Sequence, residues 1–269
     1  MKVQSEVVPG LSASLLDVDI SEDGRVLILY GDETRRFVRL NEREIVIKSD
    51  YKPDRVRFID DEFCLFTGDW ADGYYATMYG YKGYARWGWE VSKDIEDVNV
   101  VGRWVVIGYG DIHMRGVLLL PTLGHSQIYY EDFFGEDAVS TVDCYALCKA
   151  EKEVLYFFPY TEFPLVRWDL WTMTQQVMPT PEVVEGSKAI SVQDTYCYFY
   201  SPFDDEDFGP DLSQHTILEV RENNFYRWEI GTDSVQMVGE FPKSRGKVRG
   251  LPGGRFLVVE ADSYSVISF

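Results

Sequence analysis

The sequence predicts an all-β fold. Short runs rich in Val, Ile, Tyr, Phe and Trp recur along the whole chain, and such runs favour strands. Turn formers such as Asp23-Gly24 and Gly253-Gly254 separate the runs. Apolar residues nowhere keep the 3.6-residue period of an amphipathic helix over three turns. The clearest runs, in chain order, are residues 25–30, 62–66, 104–109, 154–158, 196–200 and 255–260.

Two sequence patterns repeat along the chain. The order Arg-Trp-acid-aliphatic, followed by Thr and then Gln, occurs in residues 166–178 and again in residues 226–238. A strand that ends in Gly-Asp closes at Asp32, Asp69 and Asp111, and a weaker copy with Ala in place of Gly closes at Asp262. Repeats at intervals of a few tens of residues are typical of circular or stacked folds.

Together these patterns define a unit of four strands. The second strand ends in Gly-Asp, and the third ends in Arg-Trp-Asp or a variant. This unit resembles a β-propeller blade, and Trp168-Asp169 resembles the dipeptide that closes the third strand of WD-type blades. Residues 39–41 and 86–88 are candidates for eroded copies of that motif. The resemblance covers nearly the whole chain and implies the β-propeller superfamily with degenerate WD-like repeats, without a specific family.

The second strands give a count of six blades, which divides the 269 residues into units of about 45 residues, a usual blade length. The last unit has room for only three strands, so we expect residues 3–8 to supply its fourth strand and close the ring. We interpret the excess length of blade five, residues 201–214, as an acidic loop insertion. Five or seven blades stay open, because residues 216–224 could add a strand. The expected domain is a single propeller over residues 1–269.

The charge balance excludes several classes of partner. Lys and Arg number 26 against 45 Asp and Glu, a net charge of −19. Nucleic-acid phosphates and anionic membranes both require basic patches, so we expect neither as a partner. The chain shows no secretory signal, no apolar run of roughly 18 residues, and cysteines only within apolar runs. We therefore expect a cytoplasmic protein with reduced cysteines, monomeric apart from its partner.

Candidate catalytic groups are few. The three histidines are His113, His125 and His215, and no G-x-S-x-G nucleophile elbow accompanies them. Asp111 and His113 could face one side of a strand as a metal pair, but a turn histidine is the favoured interpretation. Adjacent carboxylates such as residues 60–62 arise by chance in so acidic a chain. We expect no catalytic residue, no metal and no cofactor.

The aromatic segment 73–89 permits two interpretations. Alternation along a strand would place Tyr79 with Tyr81 on one face and align Trp87 with Trp89, as in a stacking platform for a sugar or an aromatic partner. The favoured alternative is that these large side chains fill the space between twisted blades.

The candidate site follows from placing the acids on the predicted blades. In a propeller, the connections between second and third strands lie on one face, together with the connections between blades. We therefore predict an acidic face that suits a basic protein through steering and complementary pairing. The competing interpretation is ordinary turn chemistry, in which Gly supplies positive φ and Asp caps its own turn. The predicted partner-binding residues are Asp32, Asp69, Asp72, Asp111, Asp204, Asp205, Glu206, Asp207, Asp211 and Asp262.

Two function classes follow from these observations. The favoured one is a non-catalytic interaction module that captures a basic protein on its acidic face, for example an immunity protein or inhibitor of a cationic toxin. The alternative is a propeller hydrolase or lyase with a metal or carboxylate centre at the central channel. The fold cannot decide between them, because propellers host both kinds of function.

Overall fold

Six four-stranded antiparallel sheets form a ring around a common axis, so the chain is a six-bladed β-propeller. The computed structural model describes residues 1–8, 13–41, 43–47, 50–70, 73–110, 115–144, 146–201, 223–241 and 246–269. In blades one to five the strands follow chain order from the axis outward. Every run that the sequence predicted as a second strand occupies that place.

The first three blades span β2 to β13. Blade one consists of β2 (Ser14–Ile20), β3 (Val26–Gly31), β4 (Arg36–Leu40) and β5 (Arg43–Ile47). Blade two consists of β6 (Lys52–Phe58), β7 (Phe63–Trp70), β8 (Gly73–Gly80) and β9 (Tyr84–Val91). Blade three consists of β10 (Ile95–Val101), β11 (Trp104–Tyr109), β12 (Val117–Pro121) and the short β13 (Ile128–Tyr129).

The remaining blades span β14 to β24 and take one strand from the N-terminus. Blade four consists of β14 (Ala146–Glu151), β15 (Val154–Phe158), β16 (Leu165–Asp169) and β17 (Thr174–Met178). Blade five consists of β18 (Ala189–Gln193), β19 (Tyr196–Ser201), β20 (Asn224–Glu229) and β21 (Val235–Glu240). Blade six consists of β22 (Lys247–Leu251), β23 (Arg255–Val259), β24 (Ser263–Ser268) and β1 (Lys2–Val7). Helix α1 (Tyr130–Phe134) and 3-10 turns at Gly135–Asp137 and Glu182–Val184 lie between blades.

The N-terminal strand closes the ring, as the sequence predicted. Strand β1 pairs antiparallel with β24, from Lys2 opposite Ser268 to Val7 opposite Ser263. The hydroxyls of Ser5 and Ser265 are hydrogen-bonded at 2.8 Å across this pair. Without β1, the edge of β24 would be left unpaired.

The hydrophobic core lies between neighbouring blades, which explains why the second strands are apolar on both faces. Val154–Phe158 is buried at every position. The cluster between blades four and five joins Cys148 and Phe158 to Phe199 and Trp228. All four cysteines of the chain are buried free thiols, and burial raises the pKa of Cys148 to about 12.

The third-strand motif is confirmed in blade four and wrong in blade two. Trp168 and Asp169 end β16, and Arg39 and Leu40 end β4. Residues 86–88 instead lie in β9, the fourth strand, because the third strand of blade two already ends at Gly80. Residues 202–222, between β19 and β20, lie outside the described residues, as do most of the candidate additional strand 216–224 and of the insertion 201–214.

The aromatic segment 73–89 mainly fills the core. Tyr79, Tyr81 and Trp89 are buried, which confirms for them the interpretation that they pack between blades. Tyr84 stays exposed and Trp87 is only partly buried. Within the part of the chain that the structure describes, no helix is long and apolar enough to cross a membrane.

Candidate functional site

Three of the predicted partner-binding acids fall where the repeat pattern placed them. Asp32 follows β3, Asp69 lies near the end of β7, and Asp262 follows β23. Asp32 and Asp262 belong to connections between second and third strands, and Asp69 lies on the second strand of its blade next to such a connection. The topology puts these connections and those between blades on one face. We call it the insertion face and call the other the opposite face. Asp72, Asp111, Asp204, Asp205, Glu206, Asp207 and Asp211 lie outside the described residues.

The described connections of the insertion face carry a large excess of acids. Their acids are Asp32, Glu33, Asp50, Asp94, Glu131, Asp132, Glu136, Asp137, Asp143, Glu162, Glu182, Glu185, Glu260 and Asp262, and their bases are Arg35, Lys93, Arg115 and Lys188. The excess is smaller on the opposite face. Its described connections hold Glu22, Asp23, Asp60, Asp61, Glu62, Glu153, Asp194 and Asp233 against Arg25, Lys82, Arg103 and Lys152.

Asp32 combines a turn-capping role with a stable negative charge. Its Oδ1 accepts hydrogen bonds from the hydroxyl and the backbone N–H of Thr34, at 2.6 and 2.8 Å, and from the N–H of Arg35 at 2.9 Å. These bonds, led by that from the Thr34 hydroxyl, lower the pKa of Asp32 to about 2. Asp32 therefore does cap its own turn, and the same hydrogen bonds keep its exposed carboxylate ionised.

The other two acids have local partners as well. Asp69 forms an ion pair with Lys93, with 2.9 Å between Oδ1 and Nζ, and both side chains are well exposed. Such a pair contributes at most about 1 kcal/mol, but it offsets one negative charge of the face. Asp262 accepts a hydrogen bond from the Ser263 hydroxyl at 3.1 Å, and its carbonyl accepts the N–H of Val8 at 3.0 Å.

A second group of charged residues lies at the centre of the ring, on the first strands of the blades. We call Asp17, Asp19, Arg57, Asp97 and Arg249 the axial cluster. Arg57 of blade two donates to Asp17 of blade one at 2.5 Å and to Asp97 of blade three at 3.4 Å. Its Nε also donates to the carbonyl of Val98 at 2.5 Å. One buried guanidinium thus joins three consecutive blades.

Further hydrogen bonds extend the cluster between blades. Arg249 of blade six forms an ion pair with Asp19 of blade one and donates to the carbonyl of Val18 at 3.0 Å. The second oxygen of Asp19 accepts the N–H of Phe58 at 2.7 Å. Asn99 of blade three donates to the carbonyl of Leu147 in blade four at 3.4 Å. Blades six, one, two, three and four are therefore connected around the axis.

Burial and pairing act in opposite directions on the axial carboxyls. Burial raises the pKa of Asp17, but the charges of Arg57 and Arg249 outweigh it and the net shift is downward. For Asp97, burial prevails over the same arginines and the pKa is raised. Arg57 itself stays protonated, because the three surrounding aspartates outweigh its loss of hydration and raise its pKa. A buried charge network of this kind is stable only while its partners are complete.

An ion pair spans the axis on the opposite face. Lys149 of blade four lies 2.5 Å from Glu22 of blade one, which stands across the ring. The hydrogen bond and charge of Lys149 lower the pKa of Glu22. Nearby, the thiol of Cys148 lies 3.9 Å from the carbonyl oxygen of Leu251 in blade six. Blades four and six are therefore in contact at the axis, although blade five lies between them in the ring.

The axial cluster was missed at the level of sequence, although a signal for it exists. Polar residues two apart in a strand face the same side of the sheet. The first strands carry such pairs at Asp17 and Asp19, Arg55 and Arg57, Asp97 and Asn99, and Lys247 and Arg249. In a propeller, that shared side includes the axis.

The histidines supply little evidence for catalysis. The ring of His125 packs edgewise on Trp87, with centroids 6.4 Å apart. The candidate metal pair Asp111 and His113, like His215, lies outside the described residues. Among the residues that the structure does describe, no group of three or more His, Cys, Asp or Glu could hold a metal ion.

Comparisons with known proteins support the fold alone. No protein-family model and no curated protein sequence matches the chain. A catalytically inactive virginiamycin B lyase from Staphylococcus aureus, solved with quinupristin, matches with a TM-score of 0.60 and 11% identity over 100% of this chain and 99% of that one. The WD40 repeats of RRP9 match with a TM-score of 0.59 and 10% identity over 99% of both chains. At such low identity, neither likeness transfers an activity.

Proposed function

We propose that this propeller is a non-catalytic interaction module that captures a basic protein on its insertion face. The observation that supports the proposal most is the unequal distribution of acids between the two faces. A rigid disc with many carboxylates on one side attracts a cationic partner before contact and orients it on arrival. An immunity protein or inhibitor that neutralises a cationic toxin is one form that this function would take.

Charge reversal on one face at a time tests the proposal. The insertion-face variant combines Asp69→Lys, Glu136→Lys and Asp262→Lys. The matched opposite-face variant combines Asp61→Lys, Glu62→Lys and Asp233→Lys, and each set breaks one exposed ion pair, Asp69 with Lys93 or Asp61 with Arg25. The wild type and both variants are immobilised and exposed to extracts of host cells, and captured proteins are eluted with rising salt.

We expect a captured protein of basic isoelectric point that is lost from the insertion-face variant and kept by the opposite-face variant. Its association rate should fall steeply with ionic strength, because the attraction acts over about one Debye length, roughly 8 Å at physiological salt. Capture that survives both high salt and the insertion-face variant would show that electrostatic recognition is wrong. Equal loss in the two variants would point to an effect of net charge instead.

The second candidate function is a hydrolase or lyase with a carboxylate centre at the axis. The environment of Asp97 favours this candidate, because a general acid or base is often a buried carboxyl whose pKa is raised, as that of Asp97 is. Quinupristin, present in one of the similar structures, is a practical first substrate to test. Its consumption by the wild type, together with loss of that activity in Asp97→Asn, would favour the enzyme. A stoichiometric divalent ion in the purified protein would also favour it.

A further inference from the structure

A patch of aromatic and cationic side chains lies on the rim of blades two and three, away from the insertion face. It consists of Tyr84, Arg86, Trp87, Leu123 and His125, and we call it the rim patch. Tyr84, Arg86 and Trp87 belong to β9, the outer strand of blade two. Leu123 and His125 belong to the connection between β12 and β13 of blade three, on the opposite face.

The rings of the rim patch form a continuous contact across the two blades. The guanidinium carbon of Arg86 lies 4.2 Å from the ring centroid of Trp87 and 4.8 Å from that of Phe63. Tyr84 packs edgewise on Phe63, with centroids 6.4 Å apart and planes at 87°. The ring of His125 packs on Trp87 from blade three at 6.4 Å. The guanidinium of Arg86 therefore contacts two aromatic rings.

The patch is both exposed and supported from below. Tyr84 is 50% exposed and Leu123 is 72% exposed, whereas Phe63, on which Tyr84 packs, is buried. The two blades are tied together beside the patch, since the side-chain amide of Gln127 donates to the carbonyl of Glu90 at 3.0 Å. A partner would meet a surface that is already arranged, so little ordering entropy opposes binding.

The two connections that belong to the rim patch are poorer in acids than the chain as a whole. The net charge is −19, yet the connections at 81–83 and 122–127 contain no acid; the neighbouring acids are Asp60, Asp61 and Glu62, in the connection before Phe63, and Glu90 on β9. Neither Arg86 nor Lys82 forms an ion pair with any residue that the structure describes. The patch thus offers cations and apolar surface together.

We propose that the rim patch binds a peptide segment of a partner protein in which a carboxylate neighbours an aromatic or large aliphatic side chain. The stacked guanidinium of Arg86 keeps its N–H donors available for a carboxylate, whose planar geometry they match. Tyr84 and Leu123 offer apolar surface to the neighbouring side chain, and aromatic and Arg residues are typical anchors of interfaces. A nucleic acid is disfavoured, because neutralising its many phosphates requires a cluster of several cations, whereas a single carboxylate can be bound by Arg86 alone.

The test uses a blocked pentapeptide of sequence Glu-Trp-Glu-Leu-Glu and its counterpart with lysine in place of each glutamate. Binding to the full chain is followed by NMR at the indole N–H of Trp87 and the ring of His125. We expect both resonances to shift with the glutamate peptide and not with the lysine peptide. Arg86→Ala should weaken binding by about tenfold or more, the value of a charged hydrogen bond. Arg86→Lys should also weaken it, because lysine keeps the charge but lacks the planar donor pair.

Arg227→Ala is the matched control, since Arg227 also stacks on an aromatic ring, at 4.9 Å from Tyr196 in blade five. It should leave binding unchanged. No shift at Trp87 with the glutamate peptide, equal shifts with the lysine peptide, or an equal loss in Arg227→Ala would each overturn the proposal. A short DNA duplex is a second probe, and tighter binding of that duplex at the same resonances would make the patch a phosphate site instead. The proposal is independent of the insertion face, so either can fail alone.

Discussion

The axial cluster and the insertion face are both rich in acids, yet their acids do different work. At the axis, Asp17 and Asp97 are buried and share the guanidinium of Arg57. On the insertion face, Asp32 and Asp69 are exposed; among the described residues, Asp32 is bonded within its own turn and Asp69 pairs with the exposed side chain of Lys93. The same carboxyl group therefore joins blades where it is buried and paired, and contributes to a surface field where it is exposed.

The largest predicted effect is a loss of stability on removing the cation of the axial cluster. Arg57→Met removes the cation between Asp17 and Asp97 and leaves both carboxyls buried without it. Loss of one partner from a buried charge network costs about 3–5 kcal/mol. We expect a decrease of that size in the free energy of unfolding, measured by urea denaturation at neutral pH.

Arg25→Met is the control for this prediction. Arg25 also contacts two aspartates, Asp23 and Asp61, but at the surface. Its replacement should lower the free energy of unfolding far less than Arg57→Met does, because water solvates the carboxylates that remain. Similar decreases in the free energy of unfolding of Arg57→Met and Arg25→Met would show that burial does not make the axial ion pairs more important for stability than the surface ones.

The second prediction concerns the sign of the pH dependence. Asp97 has a raised pKa in the folded protein, so its ionisation destabilises the fold as the pH rises from about 4, the ordinary value, through the folded pKa. Asp32 has a folded pKa of about 2, so its contribution to stability is present above about 4 and is lost as the pH falls towards 2.

Two variants expose this contrast. Relative to the wild type, Asp97→Asn should gain stability as the pH rises above about 4, whereas Asp32→Asn should lose stability as the pH rises from about 2 to 4. The free energy of unfolding is measured across pH 2 to 6 for all three proteins. Trends of the same sign would contradict the opposite environments assigned to the two carboxyls.

The smallest predicted effect is local to the insertion face. Thr34→Val removes the hydroxyl that donates to Asp32 at 2.6 Å but keeps the backbone donors of the turn. The pKa of Asp32 should rise from about 2 towards the ordinary value without reaching it. An NMR titration of the Asp32 carboxyl measures the shift, and Thr34→Ser, which retains the hydroxyl, should restore the low pKa.

Sequence patterns predicted an element correctly where residues close together in the chain define it. The apolar run 154–158 predicted a second strand because a strand buried between two blades is apolar on both faces. The motif at 86–88 failed because two or three letters do not fix a strand's place in a blade when blades differ in strand length. Of the predicted acids, Asp32 and Asp262 lie in connections after second strands and Asp69 lies near the end of a second strand, and their role in binding stays a prediction.

The second strands, six as the favoured number of blades, the closure by β1 and the net charge of −19 were predicted from the sequence itself, because each depends on local runs, repeats or a sum over residues. The tertiary structure decided which charges are buried. Asp17 and Arg57 are 40 residues apart, and they pair only because two blades bring their first strands together at the axis. It also decided that Arg86 contacts Phe63, since β9 and β7 come together only when they fold into one blade.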